Sequence, residues 1–260
     1  MNVFRRFARW RRNRVLKHHL VPLDTFQTTV ERLPVLQGLT PNELSRLRES
    51  ASLLLHDKAF SNAGGAVVDD ATRLAIAVQA CLLTLHLDDD SYRGWNEIIL
   101  YPDEFLRPRE EIDEAGVVHV SRDILAGESW HGGPLVLSLA DVEASGQADG
   151  FNVVLHEFAH KLDMLNGDAN GFPPLHRGMS AASWARDFSH AYANFCARLD
   201  AGEDTAIDPY AGSDPAEFFA VLTEIFFETP ALLHAEYPAV YGQLQQFYRQ
   251  HPLQRQRETA

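Results

Sequence analysis

The segment Asn152-Val153-Val154-Leu155-His156-Glu157-Phe158-Ala159-His160-Lys161-Leu162-Asp163 constrains this chain more than any other. Its apolar residues recur at helical spacing, and two histidines stand four residues apart among them. Four residues advance a helix by about 400°, so His156 and His160 share a face and Glu157 lies about 100° to the side. Val153, Val154, Leu155, Phe158, Ala159 and Leu162 flank them. A helix flanked this way enters a core, where two imidazoles and a carboxylate without partners cost several kcal/mol. A divalent metal held by His156 and His160 supplies the partner, with Glu157 beside it as a proton carrier. In a chain with 12 His among 260 residues, the spacing His-Glu-x-x-His arises by chance only about 0.04 times.

Zinc takes three protein ligands in catalytic sites and leaves a fourth position open. A ligand from the continuation Gly-x-x-His is excluded, because Asp163 and Asn166 stand at those positions. The third ligand comes from further along, and the best candidates are Glu217 and Glu224 in Asp214-Pro215-Ala216-Glu217-Phe218-Phe219-Ala220-Val221-Leu222-Thr223-Glu224. Seven residues apart, they lie about 20° apart on a helix. Glu217 is also the third helical residue after Asp214, a place where Glu often caps. Spacing leaves both acids open. His176, in a Pro-rich loop, and His190, on a polar helix face, are weaker candidates. Asp163 returns to the face of His156; it either holds a ligand imidazole's second N–H or is a simple surface acid. Tyr210 is either a phenol that donates to a developing oxyanion or a loop ring packed on the core.

The rest of the chain reads as α+β. Thr40-Pro41-Asn42-Glu43 is a capping box with proline at the first helical position, and predicts a helix to about His56 with Leu44, Leu47, Leu54 and Leu55 inward. Val67-Val68 suggests a short strand, and Asp70 caps a second helix over 71–87. Strand-like pieces follow at 97–101, 116–121 and 134–139. Beyond Gly150 the chain turns helical: 152–165, stopped by Asn166-Gly167, then 180–199, then a helix from Asp214-Pro215 to about Glu228, and two short helices opening at Thr229-Pro230 and Tyr237-Pro238. No repeat or linker divides it. One domain over 1–260 is expected, with a basic lead at 1–18, a helix and small sheet at 61–140, and a helical zinc-site half at 150–250.

Cys81 and Cys196 are too few for a disulfide scaffold and lack metal-site spacing. No run reaches the roughly 18 apolar residues of a membrane span, and the N-terminus lacks a signal's apolar core, so a cytoplasmic protein without stable membrane insertion is expected. The net charge is −13, unevenly spread. Residues 1–18 hold Arg5, Arg6, Arg9, Arg11, Arg12, Arg14 and Lys17 and no acid; the rest holds 16 basic and 36 acidic groups, a formal −20. Such a body repels phosphate, which argues against direct nucleic-acid binding. The basic lead reads first as a helix folded on the chain's own acidic surface, and second as a contact for lipid headgroups or an acidic partner.

The segments NVVLHEFAHKLDMLNG and YAGSDPAEFFAVLTEIFFE, with QACLLTL, IILYP and GPLVLSL upstream, resemble the Mlc titration factor A family of zinc metallopeptidases. The likeness runs from about residue 10 to 250. It implies that His156 and His160 are zinc ligands, Glu157 the catalytic glutamate and Glu217 the third ligand, with Tyr210, seven residues earlier, stabilising the transition state. The arrangement is also similar to the catalytic domain of anthrax lethal factor. It implies a zincin, gluzincin-like fold whose active-site helix packs on a small mixed sheet, with an edge strand in 134–139 able to pair with a peptide substrate. Family members are described as cytoplasmic peptidases of short or aminopeptidase substrates. Some bind Mlc, a glucose-responsive transcriptional repressor, and so affect sugar-uptake genes. The resemblance thus implies one Zn²⁺ per chain, a peptide substrate and a Mlc-type repressor as partner. A regulatory binding protein that sequesters a transcription factor is the rival reading.

Overall fold

A computed structural model of the chain describes residues 3–87, 91–102, 110–112, 118–120 and 133–259. The chain opens with helices α1 (Val3–His19), α2 (Leu23–Glu31) and α3 (Pro41–Asp57). α3 starts as its sequence requires: the Thr40 hydroxyl accepts from the Glu43 amide at 3.3 Å, and Glu43 Oε2 accepts from the Thr40 amide at 2.8 Å. Leu47 and Leu54 are buried, and Leu44 and Leu55 pack half-buried against the same core. α1 lies on α3, where Arg11 pairs with Asp57 at 2.5 Å and Arg12 with Glu49 at 2.7 Å. Part of the basic lead is thus folded on acids of the same chain.

Strand β1 (Ala59–Asn62), helix α4 (Asp70–Leu83) and strand β2 (Glu97–Tyr101) form a parallel crossover unit. Phe60 is opposite Ile98 and Asn62 opposite Leu100. A hairpin of β3 (Glu110–Ile112) and β4 (Val118–Val120) is separate from this sheet. Strand β5 (Leu135–Ser138) pairs in parallel with β2, Ile98 against Leu135. The three-stranded order is β1-β2-β5, so β5 is an edge among the described residues. Ile98, Leu100 and Leu137 are fully buried.

Several expectations are corrected here. The Val67-Val68 pair is not a strand: Val67 is 88% exposed, and pairing with β2 draws Ala59–Asn62 into the sheet instead. The cap of α4 is Asp69, whose carboxylate accepts from the Thr72 amide, and α4 stops at Leu83, although Leu85 stays buried. Among the described residues the three-stranded sheet is parallel rather than mixed. Parts of the strand expected at 116–121 lie outside the described residues.

After α5 (Leu139–Ala144) the helical half begins: α6 (Val153–Asp163), α7 (Ala181–Asp200), α8 (Pro215–Glu228), α9 (Pro230–Glu236), α10 (Pro238–Tyr248) and α11 (Pro252–Thr259). Every residue of α8 from Ala216 to Glu228 is buried, the mark of a helix surrounded by protein. α6 packs along it and against α4. On its far side Trp184 stacks on Phe188 at 4.3 Å and meets Phe219 and Phe247 edge-on or tilted.

Candidate metal centre

Two caps aim the site. The Asn152 side chain accepts from the Leu155 amide at 3.0 Å and starts α6 four residues before His156. Asp214 Oδ1 accepts from the amides of Ala216 and Glu217 at 2.8 and 3.0 Å and starts α8. The Glu217 amide is therefore spent on the cap while its carboxylate reaches across to α6. Glu217 Oε2 lies 2.9 Å from His156 Nε2 and 3.3 Å from His160 Nε2, and the two nitrogens are 3.2 Å apart. Both histidines are 9% exposed, so the group sits at the floor of the surface rather than sealed beneath it.

Glu224, one heptad on, does something different. Its Oε1 accepts from His156 Nδ1 at 2.8 Å, and its Oε2 accepts from the Asn152 amide at 2.5 Å. The two acids that spacing left open are thus separated by which nitrogen they face. Glu228, a further four residues along the same stripe, accepts from Asn152 Nδ2 at 2.6 Å and from the Ala148 amide at 2.5 Å. Asn152 Nδ2 also donates to Gln79 Oε1 of α4 at 2.7 Å. One asparagine therefore ties α4, α6 and α8 together behind the histidines.

The electrostatics favour positive charge at the convergence point. Burial works against a charged His156, yet the hydrogen bonds to Glu217 and Glu224 and the nearby charge of Glu157 hold its pKa well above the ordinary imidazole range. Burial likewise opposes an ionised Glu217, but the two imidazoles keep its carboxyl well below the usual carboxylate range. At Glu224 burial prevails and pushes the carboxyl up.

The donor set fits a metal. A tetrahedral zinc ion with bonds of about 2.0–2.1 Å spaces its ligands about 3.3 Å apart, and the three separations here are 2.9, 3.2 and 3.3 Å. With Nδ1–H of His156 committed to Glu224, its Nε2 is the nitrogen aimed at that point. His156, His160 and Glu217 are the set among the described residues whose ligand atoms converge this way.

The other candidates are placed as follows. Glu157 is half-buried beside His156 and makes no hydrogen bond or ion pair among the described residues. Tyr210 stands in a 3₁₀ turn, Pro209–Gly212, with its ring centroid 6.1 Å from that of His156. Asp163 is neither a surface acid nor hydrogen-bonded to an imidazole: it is fully buried and its Oδ2 accepts from the Asn170 and Gly171 amides, both at 2.7 Å. His176 is drawn away, donating to the Phe247 carbonyl at 2.6 Å, and His190 is exposed on α7. Sequence reasoning missed the backing role of Glu224, Glu228 and Asn152. The signal available was the stripe Glu217, Glu224, Glu228, three acids within about 40° of one helix face.

Residues 7–249 match the family described as glucose-regulated metallo-peptidase M90. Three relatives carry the name Mlc titration factor A. That of Enterobacter sp. (strain 638) is 39% identical over 256 residues, 96% of this chain and 94% of the relative. That of Salmonella gallinarum is 41% identical over 233 residues, 88% and 87% of the two chains. That of Escherichia fergusonii is 38% identical over 252 residues, 96% and 94%. A match of this extent, over a helix pair that gathers two imidazoles and a carboxylate, assigns the chain to the glucose-regulated metallopeptidase family M90.

Proposed function

We propose that residues 1–260 act as one gluzincin-type zinc peptidase domain in the cytoplasm, cleaving short peptides as an aminopeptidase. His156, His160 and Glu217 would hold one Zn²⁺. Bound there, the ion would polarise a substrate carbonyl and acidify an adjacent water. Glu157 takes the proton from that water and delivers it to the leaving amine; its carboxylate makes no hydrogen bond or ion pair among the described residues, though the charges of His156 and Lys161 act on it. Tyr210 donates to the oxygen that gains charge on the substrate. Glu224 keeps His156 in the Nδ1–H form. The edge of β5 receives the peptide backbone, and Lys161 of α6, which donates to the Gly133 carbonyl at 3.0 Å, fixes the start of that strand against the active-site helix.

The observation that carries this reading is the convergence of two Nε2 atoms and Glu217 Oε2 within 3.3 Å. Preference for short peptides, zinc over other metals and the cytoplasmic location rest on the resemblance of HEFAHKLD and YAGSDPAEFF to the family; two unpaired thiols, Cys81 and Cys196, agree with that compartment. A panel of amino-acid and short-peptide chromogenic substrates tests it, with chelator and then zinc add-back. Activity lost to chelation and restored by zinc supports the peptidase, and the profile separates exo- from endo-cleavage. No turnover from a protein holding stoichiometric zinc overturns it.

A second reading has one specific support, the name Mlc titration factor A that the relatives carry. On that ground the chain binds Mlc; taken with the resemblance, which implies that Mlc is a transcriptional repressor, it modulates sugar-uptake genes, with peptidase activity secondary. Glu157→Ala that keeps repressor binding and loses cleavage separates the two.

A further inference from the structure

α1 has two faces with opposite commitments. Toward α3 it is anchored by the buried Val15 and by the pairs Arg11–Asp57 and Arg12–Glu49. At 100° per residue, Arg6, Lys17, Trp10, Arg14 and Phe7 fall on an arc about 100° wide on the other side. Phe7 is 62% and Trp10 54% exposed, their rings 5.8 Å apart, and the Arg14 guanidinium lies 5.4 Å from the Trp10 ring centre. Arg6, Arg9, Arg14 and Lys17 have no carboxylate partner among the described residues. Six large apolar side chains are exposed among the described residues, and four of them, Phe7, Trp10, Leu20 and Leu23, belong to the first 23 positions. A groove of about 550 Å³ opens beside this face, lined by Trp10, Arg11, Arg14, His18, His19 and His56.

We propose that the outer face of α1 docks the protein on an anionic lipid surface. The helix, about 25 Å long, lies flat in the headgroup layer. Phe7 and Trp10 enter the boundary with the acyl chains, and Arg6, Arg14 and Lys17 meet lipid phosphates. In the groove Arg11 and His56 are already paired with Asp57, which leaves Arg14, His18 and His19 for a headgroup phosphate. Charge distribution sets the orientation. The first 18 residues carry seven basic groups and no acid, while the rest of the chain carries a formal −20. Screening confines attraction to roughly 8 Å at physiological salt, so the acidic body turned away adds little repulsion. Charge alone would admit a nucleic acid or an acidic protein. The two exposed rings, Trp10 within the basic arc and Phe7 at its edge, favour lipid, where the interface buries both without a shaped pocket.

The test is flotation of the full chain with phosphatidylcholine vesicles with and without phosphatidylglycerol, at low and high salt. Binding is expected only to the anionic vesicles and release at high salt. Each basic residue at such a surface contributes about fivefold in partitioning, so Arg6→Glu with Arg14→Glu should cost more than about twentyfold. Phe7→Ala with Trp10→Ala should weaken binding without changing its salt dependence. These positions are exposed, so thermal unfolding should match the parent. Absence of flotation at low salt, equal flotation with neutral vesicles, or variants that float like the parent overturns the proposal. So does tighter binding to a single-stranded oligonucleotide or an acidic protein than to the vesicles.

Discussion

Glu217 and Glu224 hold one imidazole from opposite sides, Glu217 Oε2 at 2.9 Å from Nε2 of His156 and Glu224 Oε1 at 2.8 Å from its Nδ1. The same seven-residue step that places both acids on one face of α8 brings them to the two nitrogens of a single ring. One faces the open side of the site and the other the interior, and that difference in access divides their work.

Replacing Glu224 with Gln should lower zinc affinity about 10–100-fold, the usual cost of weakening a ligand's outer hydrogen bond. Glu217→Gln, which touches the metal position itself, should cost more. Competition with a graded series of chelators ranks the two, and equal affinities for both variants would contradict the assignment.

Glu157→Gln should retain stoichiometric zinc while losing about 10²–10⁴-fold in turnover, the range for general acid–base catalysis. Metal content by mass spectrometry and initial rates on the best substrate of the panel check it together. Parental turnover in this variant rules out Glu157 as the proton carrier.

Asn152→Ala removes the cap of α6 and the bonds from Nδ2 to Gln79 and Glu228, all in the fully buried interior. About 2–4 kcal/mol of stability should go, from the cap and the stranded acceptors together. Urea unfolding measures it, and a loss under about 1 kcal/mol would mean that water replaces the side chain.

Burial pushes the Glu228 carboxyl up to about 7, only partly offset by its bonds from Asn152 and Ala148. The native state thus binds this proton more tightly than the unfolded state, whose carboxyl titrates near 4.5. The stability it brings is complete below about pH 4.5 and is lost as pH rises through about 7. Unfolding free energy of the parent should therefore fall relative to Glu228→Gln between pH 5 and 8, by about the sign and range set by that shift. A difference that stays flat across this range would place the charge elsewhere.

Gly171 has φ +76°, and a Cβ there would sit 2.4 Å from the Pro215 carbonyl oxygen. Its amide bonds to Asp163 and its carbonyl accepts from Trp184 Nε1 at 3.0 Å, so the backbone has nowhere to move. Gly171→Ala should cost about 3 kcal/mol or more. Gly178→Ala, at φ +106° with open space around it, carries the backbone strain without the clash. The gap between their melting temperatures isolates the steric part.

What was legible in the sequence was whatever is encoded within a turn or two of helix. The capping box at Thr40, the shared face of His156 and His160, and the proline starts of α8, α9 and α10 are of this kind. The unreadable parts depend on partners far away in the chain. Ala59–Asn62 has no strand-like alternation and becomes a strand because β2 lies beside it. Val67-Val68 has the β-branched composition, but among the described residues no strand pairs with it and only Val68 is buried. Gln79 and Glu228 reach Asn152 from 73 and 76 residues away, and no local pattern records such a meeting. Glu217 and Glu224 looked alike because a heptad step nearly restores the angle, while the 10 Å or so of rise between them, about 1.5 Å per residue, decides which nitrogen each can reach.

The burial of α8 on all sides has a mechanical consequence. A helix buried from Ala216 to Glu228, whose three carboxylates are each hydrogen-bonded to α6 or its cap, can neither slide nor turn about its axis without breaking every one of those bonds. The α6–α8 pair is the fixed jaw of the site. The Tyr210 turn, Pro209–Gly212, packs on this same α8 and β5 packs on α6, so a peptide meets a floor that is already set, and substitutions that loosen the helix pair should cost metal retention and turnover together.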